Sequence, residues 1–342
     1  MNKFDPKFEK LLDALSEGVM FLDANGRIIA VNKSLADTFC VEKEKAPGSS
    51  LIEYIRNHEL EDFIKNALDS QRGAEQEFEL VTPVELVVRI RAALYGESEE
   101  KRGLLVIIND MTSTRRLEKI RVEFAANVSH ELKTPLAAIK GYIETLQDGA
   151  IDDKKNNVKF LKIIAEQVER LDRLISDLLE LSKIESGKKE ITLARFDIRE
   201  LFESVKNIET PAADRKQIAL GIDVPAGFSD VLADKNMMEI ALLNLVDNAV
   251  KFTPRGGVTM SAERTGGKTR ISVSDTGIGI PAELLPRIFE RFFRAEKARS
   301  REFGGTGLGL SIVKHVMEVH HGSVLVESEP DKGSKFTLTF PD

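Results

Sequence analysis

The chain has 342 residues, of which 42% are hydrophobic and 31% are charged, and its formal net charge is -7 at pH 7. This length predicts two or three globular domains. The negative charge, without a dense lysine or arginine patch, argues against binding to nucleic-acid phosphates. A single cysteine, Cys40, excludes a framework of intramolecular disulfides and fits a reducing compartment. We expect Cys40 to be a small buried side chain.

No stretch of the sequence is apolar enough to predict a membrane-spanning segment. The longest apolar runs, such as Leu104 to Ile108, fall far below the roughly eighteen residues that a span requires. The opening residues, MNKFDPKFEK, do not have the pattern of a signal peptide. We therefore expect a soluble chain, either a cytoplasmic protein or the soluble portion of a membrane-anchored one.

The first third of the chain predicts an α+β domain. Asn25-Gly26 lies between the apolar runs GVMFLD and RIIAVN, which is the strongest short-range signal of a β-hairpin. Asn32 or Ser34 can cap a short helix through Phe39. Further helical segments are predicted at 51–55 and 60–68, followed by strands at 77–81, 85–94 and 103–109.

This order of a hairpin, small helices and a three-strand meander resembles a PAS domain. Residues 109–112, with the sequence NDMT, resemble the motif that closes such domains before an output helix. The resemblance implies a sensory module over residues 1–112. Two roles stay open for this module: it binds a ligand, or it serves only in dimerisation and signal relay with an empty core.

From Thr112 the sequence predicts two amphipathic helices. The first ends near Gln147, where Asp148-Gly149 breaks the pattern. The second carries an apolar stripe with spacings of three and four from Leu161 to Leu178. One helical hairpin cannot bury two such seams, whereas two hairpins about a two-fold axis form a four-helix bundle. We therefore predict a homodimer, and a hinge at 182–190, where the stripe is lost.

His130 lies on the first of these helices but away from its apolar stripe, and Glu131 flanks it. Thr134 follows one turn later on the same side, and Pro135 removes a backbone donor, which predicts a bend. Together these residues resemble the phosphoacceptor motif of sensor histidine kinases, His-Glu-x-x-Thr-Pro. A lone histidine on a helix is more often a surface or satisfied core residue, so a second signature is needed elsewhere in the chain.

The C-terminal half predicts an α/β sandwich in which strands alternate with helices. The strand candidates lie at 219–224, 257–262, 269–274, 324–328 and 334–339. Four motifs occur in a fixed order: NLVDNAVKF at 244–252, DTGIGI at 275–280, IFERFF at 288–293, and GGTGLGL at 304–310, which opens a helix through Val319. This combination resembles the ATP-binding domain of histidine kinases and the wider family that includes the Hsp90, gyrase and MutL ATPases.

The resemblance implies that these motifs bind ATP and Mg²⁺. The Asp275 carboxylate would accept a hydrogen bond from the adenine amine, Asn248 would bind Mg²⁺ through its amide oxygen, and Lys251 would contact phosphate. The other residues that the resemblance assigns to the nucleotide are Asn244, Gly277, Gly279, Phe289, Gly305, Thr306, Gly307, Leu308 and Gly309. Each motif also has a structural explanation: polar residues on a helix surface, glycines in turns, and aromatic side chains partly in the core.

Two further segments of this half need an interpretation. The polar segment 294–303 is predicted to be a mobile lid. Gly267-Lys268-Thr269 mimics the end of a Walker A loop, but the position five before Gly267 is Ala262 and a strand follows it, so we predict a β-turn.

One position bears on the type of reaction. In the related ATPases the residue four before the Mg²⁺-binding asparagine is typically a glutamate that activates water, whereas this chain has Asn244, which cannot be a general base. We therefore expect a fold that holds ATP without rapid hydrolysis. His130 is then the nucleophile for the γ-phosphoryl group, since a substantial fraction of an imidazole is neutral at pH 7. Glu131 can orient the ring and take its proton.

The pattern as a whole resembles sensor histidine kinases of two-component systems, in particular the phosphate-regulon type. The resemblance implies a PAS domain at 1–112, a dimerisation and histidine-phosphotransfer hairpin at 113–188, and an ATP-binding domain at 189–342.

No receiver module follows the last predicted strand, so the phosphoryl group is expected to pass from His130 to an aspartate of a separate response regulator. The resemblance implies that Thr134 positions water for dephosphorylation of that regulator. One alternative is a non-catalytic dimeric scaffold, against which the intact motifs argue. Another is a plain ATPase, which Asn244 disfavours.

Overall fold

The computed structural model describes residues 5–81, 85–96, 103–185, 191–228, 230–294 and 305–342. The chain separates into two compact units, Met1–Glu123 and Phe124–Asp342. All of the predicted lid segment except Arg294 lies outside the described residues, as do residues 186–190 of the predicted hinge. Among the helices of the described ranges, none is both long and apolar enough to cross a membrane.

The first unit is an antiparallel sheet flanked by short helices. Its strands are β1 (Gly18–Leu22), β2 (Ile28–Val31), β3 (Ala74–Leu80), β4 (Leu86–Tyr95) and β5 (Gly103–Asp110), in the order β2-β1-β5-β4-β3. Its helices are α1 (Pro6–Asp13), α2 (Lys33–Phe39), α3 (Leu51–Tyr54) and α4 (His58–Ser70). The predicted hairpin and meander are confirmed, because β1–β2, β3–β4 and β4–β5 all pair antiparallel.

Asn32 connects three elements of this unit. Its side chain is buried, and its Oδ1 accepts hydrogen bonds from the backbone N–H groups of Leu35 in α2 and Val19 in β1, at 3.0 and 2.8 Å. Its Nδ2 donates to one carbonyl oxygen in α1 and to another just before β1. Asn32 rather than Ser34 therefore caps α2, and its burial is tolerated because the amide is fully bonded.

The expectation that Cys40 is buried is wrong. Cys40 is exposed, because it ends α2 in the left-handed region with a φ of 54°.

The turn between β1 and β2 is longer than the two central residues of a tight hairpin. In that turn the Asp23 carboxylate accepts the backbone N–H groups of both Asn25 and Arg27, an arrangement in which a side chain replaces part of the backbone ladder.

The predicted helical hairpin is present. Helices α5 (Thr112–Thr145) and α6 (Asn157–Glu185) are joined through a π-helical turn at Leu146–Ala150. Within that turn Gly149 has a φ of 108°, which confirms the predicted break. The two helices run antiparallel, since the ring centres of Tyr142 and Phe160 lie 5.4 Å apart and Glu131 pairs with Arg170.

One local expectation for this hairpin needs correction. Helix α5 continues through Pro135, whose side chain is buried, and the bend at this position stays a prediction. Helix α6 extends to Glu185, so residues 182–185 of the predicted hinge are helical. The reason is that Leu181 and Ile184 are buried in an apolar core, which holds this end of α6 in place.

Much of the apolar stripe on the hairpin remains exposed in the single chain. The exposed large apolar residues of these two helices are Leu117, Ile120, Val122, Leu136, Ile143, Val158, Leu161, Val168, Ile175 and Leu179. An apolar surface that continues over two neighbouring helices fits packing against a second copy of the hairpin.

The rest of the second unit is a sandwich of helices and sheet. The strands are β7 (Ile218–Asp223), β9 (Gly256–Thr265), β10 (Lys268–Asp275), β11 (Ser323–Glu329) and β12 (Gly333–Pro341), in the order β11-β12-β10-β9-β7. All neighbours pair antiparallel except β7 and β9, which are parallel. Helices α7 (Ile198–Lys216), α8 (Lys235–Phe252) and α9 (Gly309–Val319) share one apolar core with this sheet.

The sequence prediction missed a second, two-stranded sheet of β6 (Ala194–Asp197) and β8 (Asp230–Ala233). Each strand has four residues and contains charged side chains, so neither has a recognisable period. The predicted β-turn at the Walker-like segment is confirmed: Gly266 and Gly267 have φ values of 60° and 72° and connect β9 to β10.

His320, at the end of α9, is a buried histidine that joins two helices. Its Nδ1 lies 2.7 Å from the carbonyl oxygen of Val316, and its Nε2 accepts the backbone N–H of Asp234, the N-cap of α8, at 3.0 Å. Nδ1 therefore donates, and the ring is neutral. Burial lowers the pKa of His320, and the charge of His321 lowers it further. The carbonyl of Val316 and the charge of Asp234 oppose this lowering.

We expect the free energy of unfolding to decrease as the pH falls below about 6.5, because the unfolded chain then binds a proton that folded His320 resists. His320→Gln, whose amide can both donate and accept, should remove this part of the pH dependence. The test is urea unfolding about one pH unit above and below that value, with His58→Gln as the matched control, because the His58 side chain is 86% exposed. Equal pH dependence in the parent and in His320→Gln would contradict this assignment.

Candidate functional site

Helix α8 carries one face of the candidate site. Its N-cap is Asp234, whose side chain accepts the N–H of Met237, and its apolar face is buried in the core. Asn244, Asn248 and Lys251 lie three and four residues apart, and all three line the same cavity. The prediction that they share one helix face is therefore confirmed.

The cavity has a volume of about 300 Å³ and lies between α8, the end of β10, the loop after β10 and the start of α9. That volume is at the lower end of the range for small-molecule sites. Part of its wall is apolar, formed by Ile278, Ile280, Pro281, Ile288, Phe293, Leu310 and Phe336. Polar and charged groups converge on the remainder, so the cavity can hold a ligand with an apolar and an anionic part.

Asp275, the last residue of β10, is the carboxylate of this cavity on the sheet side. Its Oδ1 accepts the backbone N–H of Gly277 at 2.8 Å and that of Ser334 at 3.3 Å. Burial raises the pKa of Asp275, and these two hydrogen bonds lower it. Within the described part of the chain, Oδ2 accepts no hydrogen bond, which leaves one acceptor for a ligand's N–H group.

The glycines of DTGIGI are required by contacts within the chain itself. A Cβ on Gly277 would lie 2.5 Å from the carbonyl oxygen of Phe252. Gly279 has a φ of 67°, and a Cβ there would lie 2.1 Å from the carbonyl oxygen of Glu329. Close backbone packing thus explains both glycines, of which only Gly279 lines the cavity.

The glycine-rich motif before α9 also faces the cavity. Gly305, Thr306, Gly307 and Gly309 line it, whereas Leu308 is fully buried in the core and Gly304 lies outside the described residues. A Cβ on Gly309 would lie 2.4 Å from Oδ1 of Asn244, whose Nδ2 donates to the Ile240 carbonyl. The Asn244 side chain therefore fits between α8 and the first residue of α9.

Asn248 and Lys251 differ in the partners that they have. Lys251 forms a close ion pair with Asp247 one turn earlier, and Asp247 also lines the cavity. The Asn248 side chain makes no hydrogen bond to any described residue, so its amide oxygen is available to a ligand. Beside them, burial and the charge of Asp247 raise the pKa of Glu209 in α7 to about 7, although the charge of Lys251 opposes this.

The aromatic motif IFERFF contributes a different residue to the cavity wall from the one that the sequence predicted. Phe289 packs partly buried against the core and is absent from the cavity wall, which Phe293 reaches instead. Phe292 has a φ of 62°, and its N–H donates to the carbonyl of Gly307 at 2.8 Å. A positive φ is unusual for a bulky residue. The hydrogen bond to Gly307 stabilises Phe292 in this conformation, against the glycine-rich motif.

The structure separates His130 from this cavity. His130 is exposed on α5, and none of His130, Glu131 and Thr134 lines the cavity wall. The Thr134 hydroxyl donates to the His130 carbonyl at 3.1 Å, and Glu131 forms a part-buried ion pair with Arg170 of α6 at 2.8 Å. Sequence reasoning missed Arg170, because its pairing depends on the register of two helices far apart in the chain.

Sequence reasoning also missed the contribution of the hairpin to the cavity. Arg173 and Asp177 of α6 line it, and Oδ2 of Asp177 accepts a hydrogen bond from the Thr306 hydroxyl at 2.6 Å. The sequence could have indicated Ile278 and Ile280 as cavity residues, because both belong to the DTGIGI motif. Phe336 was not, because only the pairing of β10 with β12 brings it opposite Val273.

Three family models match the chain in sequence order. Residues 7–111 match the PAS fold, residues 120–187 match the His Kinase A (phospho-acceptor) domain, and residues 233–342 match the histidine kinase-, DNA gyrase B-, and HSP90-like ATPase. His130 lies within the second match, and the α8 motif, DTGIGI and the glycine-rich motif lie within the third.

Two curated relatives are sensor kinases. The chain is 40% identical over 245 residues to the sensor-like histidine kinase SenX3 of Mycolicibacterium smegmatis, which covers 71% of this chain and 63% of the relative. It is 33% identical over 349 aligned positions to the sensor histidine kinase WalK of Bacillus subtilis, covering 98% of this chain and 55% of that protein. The chain thus spans little more than half the length of these curated relatives.

A solved structure has a similar fold. The histidine kinase ThkA, in complex with the response regulator protein TrrA, matches with a TM-score of 0.53 over 97% of both chains. The sequences are 24% identical, so this likeness concerns the fold alone.

Proposed function

Because the chain belongs to the sensor histidine kinases of two-component systems, we propose that it phosphorylates itself on His130 from ATP. The phosphoryl group then passes to an aspartate of a separate response regulator. One observation carries the proposal: a single compact unit combines an exposed histidine in the phospho-acceptor domain with a cavity in which one Asp275 oxygen and the Asn248 amide have no hydrogen-bond partner among the described residues.

The adenine is proposed to bind on the sheet side of the cavity. Oδ2 of Asp275 is proposed to accept a hydrogen bond from the exocyclic amine, and Ile278, Ile280 and Phe336 offer apolar surface to the base. The phosphates are proposed to extend toward the start of α9, where backbone N–H groups and the helix dipole favour an anion. Lys251 lies on this wall and adds positive charge, which Asp247 partly offsets.

The residues present fit an Mg²⁺ ion at the phosphates. The Asn248 side chain lines the cavity without a hydrogen-bond partner among the described residues, and an amide oxygen is a ligand that Mg²⁺ accepts. When bound, the ion neutralises charge on the transferring phosphoryl group. This chain's own contribution is to hold the nucleotide and to deliver the histidine.

In the proposed reaction a neutral ring nitrogen of His130 attacks the γ-phosphorus in line with the leaving group. The N–P bond forms while the bond to the β,γ-bridging oxygen breaks, and ADP leaves. The imidazolium that results loses its proton to Glu131. Since Glu131 pairs with Arg170 and His130 lies outside the cavity, the hairpin and the ATP-binding part must first change their arrangement.

Plain ATP hydrolysis is the less favoured reaction. Asn244 stands where related ATPases have a general base, and its amide is engaged between the Ile240 carbonyl and Gly309. An amide cannot remove a proton from water at neutral pH, so bound ATP persists until the histidine reaches it.

The proposal is tested by incubating the protein with Mg²⁺ and γ-labelled ATP. A kinase of this type becomes labelled, and the label is labile in acid and stable in alkali, as expected of phosphohistidine. A protein that binds ATP but acquires no label would instead favour the non-catalytic scaffold.

We expect Thr134→Ala to keep autophosphorylation and to lose dephosphorylation of the regulator by at least about tenfold, because the exposed hydroxyl is proposed to position the attacking water. The matched control is Thr145→Ala. Thr145 is also exposed on α5 and makes the same type of bond, to the Gly141 carbonyl at 2.8 Å. The two rates are measured separately, with phosphorylated regulator for the second. Equal losses of both activities would remove Thr134 from this role.

The assembly is proposed to be a homodimer formed through the exposed apolar surface of the hairpin. The proposed limits of the three parts are 1–112, 113–188 and 189–342. The site of action is proposed to be the cytoplasm, where ATP and receiver domains occur, for a cytoplasmic protein or for the soluble portion of a membrane-anchored one.

A further inference from the structure

At the contact between helix α6 and the glycine-rich motif, a negatively charged side chain lies where negatively charged phosphates are proposed to bind. The Asp177 carboxylate lines the cavity that is proposed to hold the triphosphate. A carboxylate at that position brings negative charge to a site intended for negative ligands. Its position therefore calls for an explanation beyond packing.

Thr306 is the residue that this carboxylate engages. The Thr306 hydroxyl donates its proton to Oδ2 of Asp177 at 2.6 Å, and the oxygen of that hydroxyl accepts the N–H of Leu308 at 3.3 Å. A hydroxyl has one proton to donate, so Thr306 cannot donate to Asp177 and to a phosphate oxygen at once. The two acceptors exclude each other at this hydroxyl.

The surroundings of Asp177 resemble those that favour a phosphate. Thr306 lies three residues before α9, whose N-terminus favours a negative group. Arg173 and Lys251 line the same cavity and attract the carboxylate, whereas Asp247 repels it. Burial raises the pKa of Asp177, and the Thr306 hydrogen bond and the two cations oppose that increase.

Further contacts join the hairpin to the ATP-binding part. The ring of Phe124 in α5 lies 5.8 Å from that of Phe292, and the guanidinium of Arg291 lies 5.2 Å from the Phe124 ring centre. Leu174 and Leu181 of α6 are buried in the core of the ATP-binding part. The polar contact at Thr306 thus belongs to a larger apolar interface that holds Asp177 in the cavity.

We propose that the Asp177 carboxylate competes with the phosphates of the nucleotide for Thr306 and the start of α9, so that hairpin docking and triphosphate binding oppose each other. This inference rests on the proposed ATP site. Coupling of this kind is reciprocal: the docked hairpin weakens ATP binding, and bound ATP loosens the docked hairpin. Loosening is what His130 requires in order to reach the cavity, since it lies outside the wall in the docked arrangement.

The test uses Asp177→Asn in the full chain, with His130→Gln in every protein to prevent turnover. Asparagine keeps the shape and an oxygen acceptor for Thr306 but removes the charge, and thermal unfolding checks that the fold is retained. The control is Asp172→Asn, which removes the same charge from an exposed position on α6 that does not line the cavity. Affinities for Mg-ATP and for adenosine are measured by titration calorimetry.

We expect Asp177→Asn to bind Mg-ATP about fivefold more tightly or better, with unchanged affinity for adenosine, which has no phosphates. Asp172→Asn should match the parent for both ligands. Unchanged or weaker Mg-ATP binding in Asp177→Asn would overturn the competition, as would an equal gain for adenosine. If the parent binds neither ligand, the nucleotide site itself is refuted and the competition with it.

Discussion

We expect His130→Gln to abolish labelling of the protein by γ-labelled ATP while leaving nucleotide binding intact. Glutamine is close to imidazole in size and stays polar, but its amide nitrogen is not a nucleophile at neutral pH. His130 is exposed and lies outside the cavity wall, so its replacement should disturb neither the fold nor the ATP site. The measurement is incorporation of label at saturating Mg-ATP, together with the affinity for ATP.

The matched control for this substitution is His58→Gln. His58 begins α4 with its side chain 86% exposed, so it tests the same chemical change on another helix. We expect full labelling in this control. Residual labelling of His130→Gln that survives acid would show that another side chain accepts the phosphoryl group, and the assignment of His130 would then be wrong.

We expect Asn248→Ala to lower the affinity for Mg-ATP by at least about 100-fold, since it removes the amide oxygen that is proposed to bind the metal. The side chain lines the cavity and has no hydrogen bond among the described residues, so its loss leaves no partner unsatisfied. Binding of adenosine without metal should be retained, because the Asp275 contact to the base remains. Titration with Mg-ATP and with adenosine separates the two effects.

An equivalent substitution on a neighbouring helix controls for general destabilisation. Asn207→Ala, at an exposed position of α7, should bind both ligands as the parent does. If Asn248→Ala bound Mg-ATP with unchanged affinity, the metal would have to be held elsewhere. If it lost adenosine binding as well, Asn248 would be supporting the shape of the cavity instead.

The docked arrangement of the hairpin accounts for the separation of His130 from the cavity. Docking buries Leu174 and Leu181 and engages Thr306, and it leaves His130 outside the cavity. Helix α5 begins at Thr112, whose hydroxyl accepts the N–H of Val87 in β4, and it continues without a break past His130. One continuous helix thus contains both Thr112 and His130.

Much of this architecture could be predicted from the sequence because it depends on local patterns. The hairpin at Asn25-Gly26, the capping of α2 by Asn32 and the antiparallel meander follow from turn chemistry and from period-two alternation. The two long helices follow from spacings of three and four, and the break at Gly149 follows from its permitted positive φ. The face shared by Asn244, Asn248 and Lys251 follows from the helical period alone.

Other features depend on contacts that no local pattern contains. The exposure of Cys40 reflects a left-handed helix end, and the helical start of the predicted hinge reflects burial of Leu181 and Ile184. The short strands β6 and β8 are stabilised by each other, not by a period of their own.

The sequence by itself determined the order of the three parts, the phosphoacceptor motif and the polar face of α8, because each is written in residues that are neighbours along the chain. Only the tertiary structure decided that Arg170 holds Glu131, that Phe293 rather than Phe289 reaches the cavity, and that Asp177 engages Thr306. The physical reason is register: these partners meet only after separate helices pack, and the energy of that packing is distributed over the whole core.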